Sequence, residues 1–468
     1  MRVTVIGHSC LRAETRAGTI LVDPWLFGSC YWRSWWHFPP SKEPDDEMLA
    51  PDWVYLTHHH FDHFHYPSMR RLDRSATVLI PRFGVDVMAD EVVSLGFDRP
   101  QELRHGRILD LGQGVRVASY QYGFDDTAFV IAEDDHVVID VNDCKIRGRA
   151  LDPIVKEFGR PSLACKSHSF AQSYPVLYDS EDESQLRLVT RETYIDDFHD
   201  VMARLQPRHA IPFGSMVGFL HPDSAPLNAH LVTPQMVVDG VAERGGIDGT
   251  DVVTMAPGDV WDSATGFERS DVDWYADRER HLVVLTAKYQ DKLDDRAAEE
   301  AGVRVEWRDF EAHLGRFVRE VPRVFARRLA PKPFVFHVPS DADTPYWWVS
   351  FRSRSIGRSA TVPDGASGVT TVPEAVMAEA LRDRIVHILH GAMRIHTSLL
   401  PGGVQSDLGW WGVVMMWELG YLPLRRSARH PRLWRSMARR WREFVDQAPS
   451  VISRNPVDHL AERFGADV

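Results

Sequence analysis

The first half of the chain is patterned in short apolar runs separated by turn residues. Residues 3–6 and 19–22 read as paired strands joined by a turn that contains Gly18. Residues 53–56, Trp-Val-Tyr-Leu, have the aromatic and β-branched content of a buried strand. Further strands are expected at 77–80, 115–120 and 162–165, with a hairpin of 127–132 and 136–139 around Glu133-Asp134-Asp135. Helical patterns intervene at 85–95, ended by Gly96, at 149–158 and at 192–205. Strands with helices between them predict stacked sheets covered by helices. Beyond about Phe267 the pattern changes. Residues 271–294, 305–318 and 373–389 read as helices, 334–338 and 347–351 as strands, and Gly409-Trp410-Trp411-Gly412 opens an apolar stretch through Met415, Met416 and Trp417. Two units follow: an α/β unit over 1–265, and an additional C-terminal α+β domain over 266–468 that is either a lid or a dimerisation surface.

Two stretches depart from this patterning. Residues 28–52 form a long aromatic loop with Tyr31, Trp32, Trp35, Trp36, His37 and Phe38 ahead of Pro39-Pro40. Such a loop either walls an apolar substrate pocket or buries against a second domain. Between residues 425 and 442, arginine stands at 425, 426, 429, 432, 435, 439, 440 and 442, with Leu433, Trp434, Met437 and Trp441 among them. A helix there places the apolar residues on one face. The arginines then either pair with acidic residues at the surface or gather an anion, such as the phosphates of a coenzyme A thioester.

The chain has 468 residues and 44% hydrophobic content, enough for two large cores. Its net charge of -12 argues against nucleic acid as a partner. Cys10, Cys30, Cys144 and Cys165 show no C-x-x-C pairing and read as reduced thiols. Neither a signal peptide nor a membrane-length apolar run is recognisable, so a cytoplasmic, membrane-free protein is expected.

The candidate chemistry lies directly after strand 53–56. Thr57-His58-His59-His60-Phe61-Asp62-His63 reads H-x-H-x-D-H at positions 58, 60, 62 and 63. A strand end followed by a tight loop aims closely spaced imidazoles and a carboxylate into one pocket. Neutral imidazole suits zinc and iron, and the carboxylate adds charge. Asp23, at the end of strand 19–22, is either a partner for a ligand histidine or an ordinary turn aspartate before Pro24.

These residues resemble the metallo-β-lactamase fold: Asp23, then H-x-H-x-D-H at 58–63, then Asp143 after a strand, then the late His221. Within that fold, Asn142-Asp143-Cys144 and Pro212-Phe213-Gly214-Ser215-Met216-Val217-Gly218-Phe219-Leu220-His221 resemble the N-D-C turn and the P-F-x-S-F-x-x-F-x-H segment of the CMP-N-acetylneuraminate hydroxylase-like branch. Met216 replaces the first inner Phe. A further similarity is to diiron monooxygenases of this fold from bacterial natural-product pathways, among them those of platensimycin-type diterpenoids. The resemblance covers roughly residues 1–260 and implies an αββα sandwich with two metals at its rim. It implies His58 and His60 on one metal, Asp62 and His63 on the other, Asp143 bridging them, and His221 completing the second site. Asp62 and Asp143 would be the catalytic carboxylates.

The chain departs from the hydrolases of this fold at one place. Where they carry another histidine, residues 120–127 read Tyr-Gln-Tyr-Gly-Phe-Asp-Asp-Thr. Asp126, or else Asp125, offers an oxygen instead, with His168 as a spare candidate. A ligand set of two histidines plus carboxylates suits iron with positions open for O2. The expectation is therefore a nonheme diiron monooxygenase that hydroxylates an apolar small molecule, diterpenoid or linked to coenzyme A. Two Fe ions, O2 and an external reductase would serve it. The alternative is a hydrolase with two Zn ions acting on a thioester, lactone or phosphodiester. The sialic acid hydroxylases of the branch carry a Rieske domain, but no C-x-H with C-x-x-H pair occurs here.

Overall fold

In a computed structural model, which describes residues 1–452 apart from Val87, two large sheets pack face to face. The first has eight strands in the order Gly266–Glu268, Val260–Asp262, Arg2–Gly7, Cys10–Thr15, Gly18–Val22, Trp53–Tyr55, Thr77–Pro81 and Gln101–Leu103. The second has seven, in the order Asp251–Val252, His209–Pro212, Leu163–Lys166, His136–Asn142, Asp126–Glu133, Val115–Tyr122 and Ile108–Gly112. Val5, Leu11, Ile20 and Leu79 from one sheet meet Val117, Ile131, Val138 and Ile211 from the other in a dry core. Tyr55 stacks on Phe129 at 3.8 Å between ring centres, and its hydroxyl lies 2.9 Å from both Ser119 Oγ and Thr127 Oγ1. The phenol thereby keeps a polar partner inside an apolar interface.

Both outer faces are also covered. Helices Asp152–Phe158, Arg191–Leu205 and Pro234–Glu243 close the second sheet through Ile154, Phe198, Met202 and Val237. Tyr66–Met69 and Ala89–Ser94 close the first. This explains why Val115–Tyr122 is buried at nearly every position instead of alternating. The architecture is the expected αββα sandwich. Residues 3–6 and 19–22 are not direct partners, however. The strand Cys10–Thr15 lies between them, and the Gly18 turn (φ 104°) joins that strand to Gly18–Val22. Its charged Arg12 and Glu14 masked an alternation in which Leu11 and Ala13 face the core.

The C-terminal part is built on a third sheet of six strands: Tyr178–Ser180, His396–Leu399, Gly368–Thr371, Phe334–His337, Tyr346–Ser350 and Ser355–Ser359. Its core is aromatic, with Phe310, Phe317, Phe334, Trp347, Trp410 and Trp417. The expected break after residue 265 falls inside the hairpin Val260–Asp262/Gly266–Glu268, at the edge of the first sheet. The strand Tyr178–Ser180 crosses the other way, from the first unit into the third sheet. Residues 453–468 of the expected C-terminal domain lie outside the described residues. The helix expected over 271–294 is two helices, Arg278–Lys288 and Gln290–Glu300. The one expected over 85–95 begins only at Ala89. The aromatic loop contains the strands Ser29–Cys30 and Trp35–His37, which pair with each other, and Trp35–His37 also pairs with Val217–Phe219 in a small fourth sheet.

Candidate metal centre

The rim of the sandwich is formed where strands end. Asp23 follows Gly18–Val22, the histidine loop follows Trp53–Tyr55, and Asp143 follows His136–Asn142. Asp23 and Asn142 both adopt left-handed backbone (φ 46° and 51°), which short polar side chains tolerate best. They are tied together, with Asn142 Nδ2 donating to Asp23 Oδ2 at 2.8 Å. Asp23 also accepts from Thr57 N at 2.8 Å and Thr57 Oγ1 at 2.6 Å, which fixes the start of the loop. His63 Nδ1 lies 2.7 Å from the same carboxylate. Because a carboxylate accepts there, the ring carries its proton on Nδ1 and its Nε2 is left to face the pocket.

That Nε2 lies 3.2 Å from Asp62 Oδ2 and 3.6 Å from Asp143 Oδ2. Burial pushes the His63 imidazole down, but Asp62 and Asp23 overcome this and raise it well above the usual histidine range. Burial likewise pushes the Asp62 carboxyl up, and His63 and His8 outweigh it, holding Asp62 well below the carboxylate range. The pocket thus favours positive charge at one point between buried carboxylates.

Two sets of ligand atoms converge, each within 4.8 Å: His58, His63 and Asp143, and His8, Asp62 and His63. His60 joins the first through its Nδ1, 2.8 Å from His58 Nε2. Burial lowers both of these imidazoles, with His63 adding to the effect on each, so both are neutral and carry a lone pair. Asp126 Oδ1 lies 3.8 Å from His58 Nδ1. Its carboxyl is raised well above the usual range by burial, then by Asp125 and Asp143. Asp125 in turn acts electrostatically on His60. Of the window 120–127, Asp126 therefore stands beside His58, and Asp125 acts on His60 through its charge. His59 turns the other way, with Nε2 at 2.6 Å from Glu91.

The remaining two candidates lie outside these sets. The nearest partners of His221 are the backbone N of Asp223, 3.3 Å from its Nδ1, and the Asp223 carboxylate at 3.6 Å. Asp223 pairs with Arg394 of the C-terminal unit at 2.7 Å. His168 is buried with Nδ1 3.3 Å from Phe213 O, and burial lowers it to about 4.

Two contributors escaped the sequence reading. His8 Nε2 lies 2.9 Å from Asp62 Oδ2, and the Tyr31 hydroxyl donates to Asp62 Oδ1. His8 occupies the turn between Arg2–Gly7 and Cys10–Thr15, so it becomes visible only once that hairpin is recognised. Tyr31 belongs to the aromatic loop. The same loop reaches the other unit through Trp32 Nε1, which donates to Glu379 Oε2 at 2.7 Å, and through Trp36, stacked on Tyr289 at 4.3 Å. Of the two expected uses of the loop, burial against the C-terminal part is the one these contacts show.

Residues 2–155 match the beta-lactamase superfamily domain. The N-terminal region has the metallo-β-lactamase fold, and an α/β sheet region is added C-terminal to it. A Mycobacterium tuberculosis protein named as a Rieske 2Fe-2S iron–sulfur protein is 29% identical over 283 residues, 56% of this chain and 54% of that one. The chain therefore spans about half the length of this curated relative. A cytidine monophosphate-N-acetylneuraminic acid hydroxylase from Danio rerio is 27% identical over 158 residues, 30% of this chain and 25% of its own. Among solved structures, a diiron beta-hydroxylase from Streptomyces venezuelae aligns over 54% of this chain and 52% of its own, with 17% identity and a TM-score of 0.36. An isothiocyanate hydrolase from Delia radicum gut bacteria aligns over 56% and 98%, with 16% identity and a TM-score of 0.39. No helix among the described residues is long and apolar enough to cross a membrane.

Proposed function

We propose that this protein is a nonheme diiron oxygenase that hydroxylates an apolar small molecule with O2. The observation that carries this reading is the pair of carboxylates, Asp125 and Asp126, beside His58 and His60, where hydrolases of the fold have another imidazole. Such an oxygen-rich set is the harder one and suits iron with open positions. The names of two relatives, a hydroxylase and an iron–sulfur protein, support it. The residues fit a pair of cations: His63 Nε2, Asp143 Oδ1 and His8 Nδ1 are buried without a hydrogen-bond partner, an arrangement that costs about 1–3 kcal/mol per atom unless something binds there. Iron bound there would supply the redox chemistry of O2 activation, with electrons delivered by a separate protein donor.

The chain's own residues would do the rest. Asp143 offers two oxygens to span the pair, Asp23 fixes His63, and Tyr31 with His8 holds Asp62. Trp25 and Trp35 pack edge-on to His8 and keep water from it. A cavity of about 550 Å3 opens between the two units, lined by Leu177, Asp223, Glu300, Val372, Arg394 and Ile395. Its size and mostly apolar walls suit a small-molecule substrate.

The rival reading, a dizinc hydrolase, draws on Asp62, whose carboxylate is held ionised at the pocket and can orient a water. Metal content of protein purified without added metal decides between the two. Two irons per chain with substrate-dependent O2 uptake is the expected result. Zinc at full occupancy, with ester or thioester cleavage and no O2 uptake, overturns the oxygenase.

A further inference from the structure

The arginine-rich C-terminal segment leaves an unexplained feature on the far side of the turn that carries Asp125 and Asp126. It is not one helix but two main ones, Pro431–Arg439 and Trp441–Ile452, and it docks on the edge of the sandwich. Some of its arginines are used in docking. Arg432 pairs with Glu102, and its Nε donates to Phe83 O at 3.2 Å. Arg440 is buried, bonds Glu443 at 2.8 Å and donates to Gly123 O, while Gly123 N donates to Glu443 at 3.0 Å. Ser436 Oγ donates to Gln121 Oε1 at 3.0 Å.

Others do something different. Positions 432, 435, 436 and 439 share one face of Pro431–Arg439 at helical spacing, and that face closes a cleft with Arg82, Arg104, His105 and Gln121. Five guanidinium groups thus line one small space in a chain whose net charge is -12. Glu102 pairs with both Arg82 and Arg432, and Asp86 lies 3.7 Å from Arg432. Among the described residues, Arg104, Arg435 and Arg439 have no carboxylate within ion-pair distance. Arg439 is lowered from the usual arginine range by partial burial, then by Arg107, Arg104, Arg82 and Arg435. His105 adds a neutral donor. Its Nδ1 accepts from Gln121 N at 2.9 Å, so its proton sits on Nε2, and burial with Arg440 and Arg439 holds it at about 3.

We propose that this cleft binds a phosphate group, free or as part of a small phosphorylated ligand. Like charges gathered from three separate segments repel one another, and a multiply charged oxyanion turns that repulsion into attraction. Guanidinium forks match phosphate oxygens two at a time. The cleft, with about 50 Å3 of space, has room for one tetrahedral oxyanion, with the remainder of a larger ligand outside. The site is independent of the metal reading.

Calorimetric titration of the full chain with inorganic phosphate, pyrophosphate and adenosine 3′,5′-bisphosphate tests it. One binding site per chain is expected, lost at least tenfold in affinity in the double variant Arg435→Glu/Arg439→Glu and kept in the control Arg382→Glu. Both cleft residues are exposed, so an unchanged thermal melt verifies that the variant folds. Tighter binding of the bisphosphate than of phosphate identifies an esterified ligand, and equal binding a free oxyanion. No binding of any probe at millimolar concentration overturns the proposal, as does full affinity in the double variant, which would place binding elsewhere, for instance at the metal pocket.

Discussion

Both halves of the molecule bury carboxylates among imidazoles, and they satisfy them in opposite ways. In the C-terminal unit, Glu418 accepts from His313 Nε2 at 2.7 Å, His387 Nδ1 at 2.5 Å, Val386 N at 3.0 Å and His387 N at 2.8 Å. Every lone-pair direction has a protein donor, so the network is closed. At the rim of the sandwich, Asp143 Oδ1, His63 Nε2 and His8 Nδ1 have none, although all three are buried. Closed networks of this kind hold a fold together; open ones, with carboxylates facing an imidazole at 3.2–3.6 Å, are suited to a cation.

The largest effect expected from this contrast is at Asp143. Asp143→Ala removes the one carboxylate that faces His63 from the second sheet, and metal analysis should show both ions lost and activity with them. The fold should survive, because Asp143 sits at the rim, outside the packed cores. Two metals retained per chain would mean that Asp143 bridges nothing. The opposite pattern is expected at the closed network. Glu418→Ala strands two imidazoles and two backbone N–H groups, and breaking a buried charged pair costs roughly 3–5 kcal/mol. Its urea midpoint should drop sharply with metal stoichiometry unchanged. Loss of metal in that variant would show that the two networks are one.

How much of this contrast was legible in the sequence follows from distance along the chain. The H-x-H-x-D-H loop was visible because its four side chains lie within six residues after an apolar strand, and Asp143 because it follows another. Asp23 was left undecided; only the fold brings it within 2.7 Å of a residue forty positions away. His8 was missed outright, since the strand Cys10–Thr15 that turns it inward carries alternating charges at its exposed positions. The two layers could be read from periodicity. The crossing of Tyr178–Ser180 into the third sheet could not, because a three-residue strand with one buried position has no period to read. The arginine face was readable as amphipathic, but which arginines pair and which stand free depends on Glu102, more than 300 residues away.

Asp407 sharpens the comparison from within the C-terminal side. It is a buried carboxylate that accepts from the Tyr178 hydroxyl at 2.9 Å. Burial pushes it up to about 7, only partly offset by Tyr178 and Trp411. An unfolded aspartate titrates near ~3.9. Between these values the folded chain keeps a proton that the unfolded chain has lost. Stability therefore falls as pH rises through that window and levels off above about 7. Asp407→Asn removes the penalty. The variant should be more stable than the parent at pH ~8 by up to about 4 kcal/mol, and the gap should close toward pH ~4. A gap that does not change with pH would show that Asp407 stays ionised in the folded protein.

The smallest effect expected is also the one that tests most finely what an open network means. His8 touches Asp62 at 2.9 Å, and Tyr31 bonds the other oxygen of the same carboxylate. Both come from turns and loops outside the histidine motif, so they can orient Asp62 without themselves being ligands. Residues in that position typically change metal affinity by 10–100-fold, about 1.4–2.7 kcal/mol, without changing stoichiometry. His8→Ala should fall in that range, and Tyr31→Phe, which keeps the ring packed against Trp35, should fall below it. If His8→Ala instead releases one metal completely, His8 is itself a ligand. The second ion would then be held by His8, Asp62 and His63, without His221. If affinity does not move in either variant, Asp62 needs no support from the first sheet, and the convergence of His8 on it is packing alone.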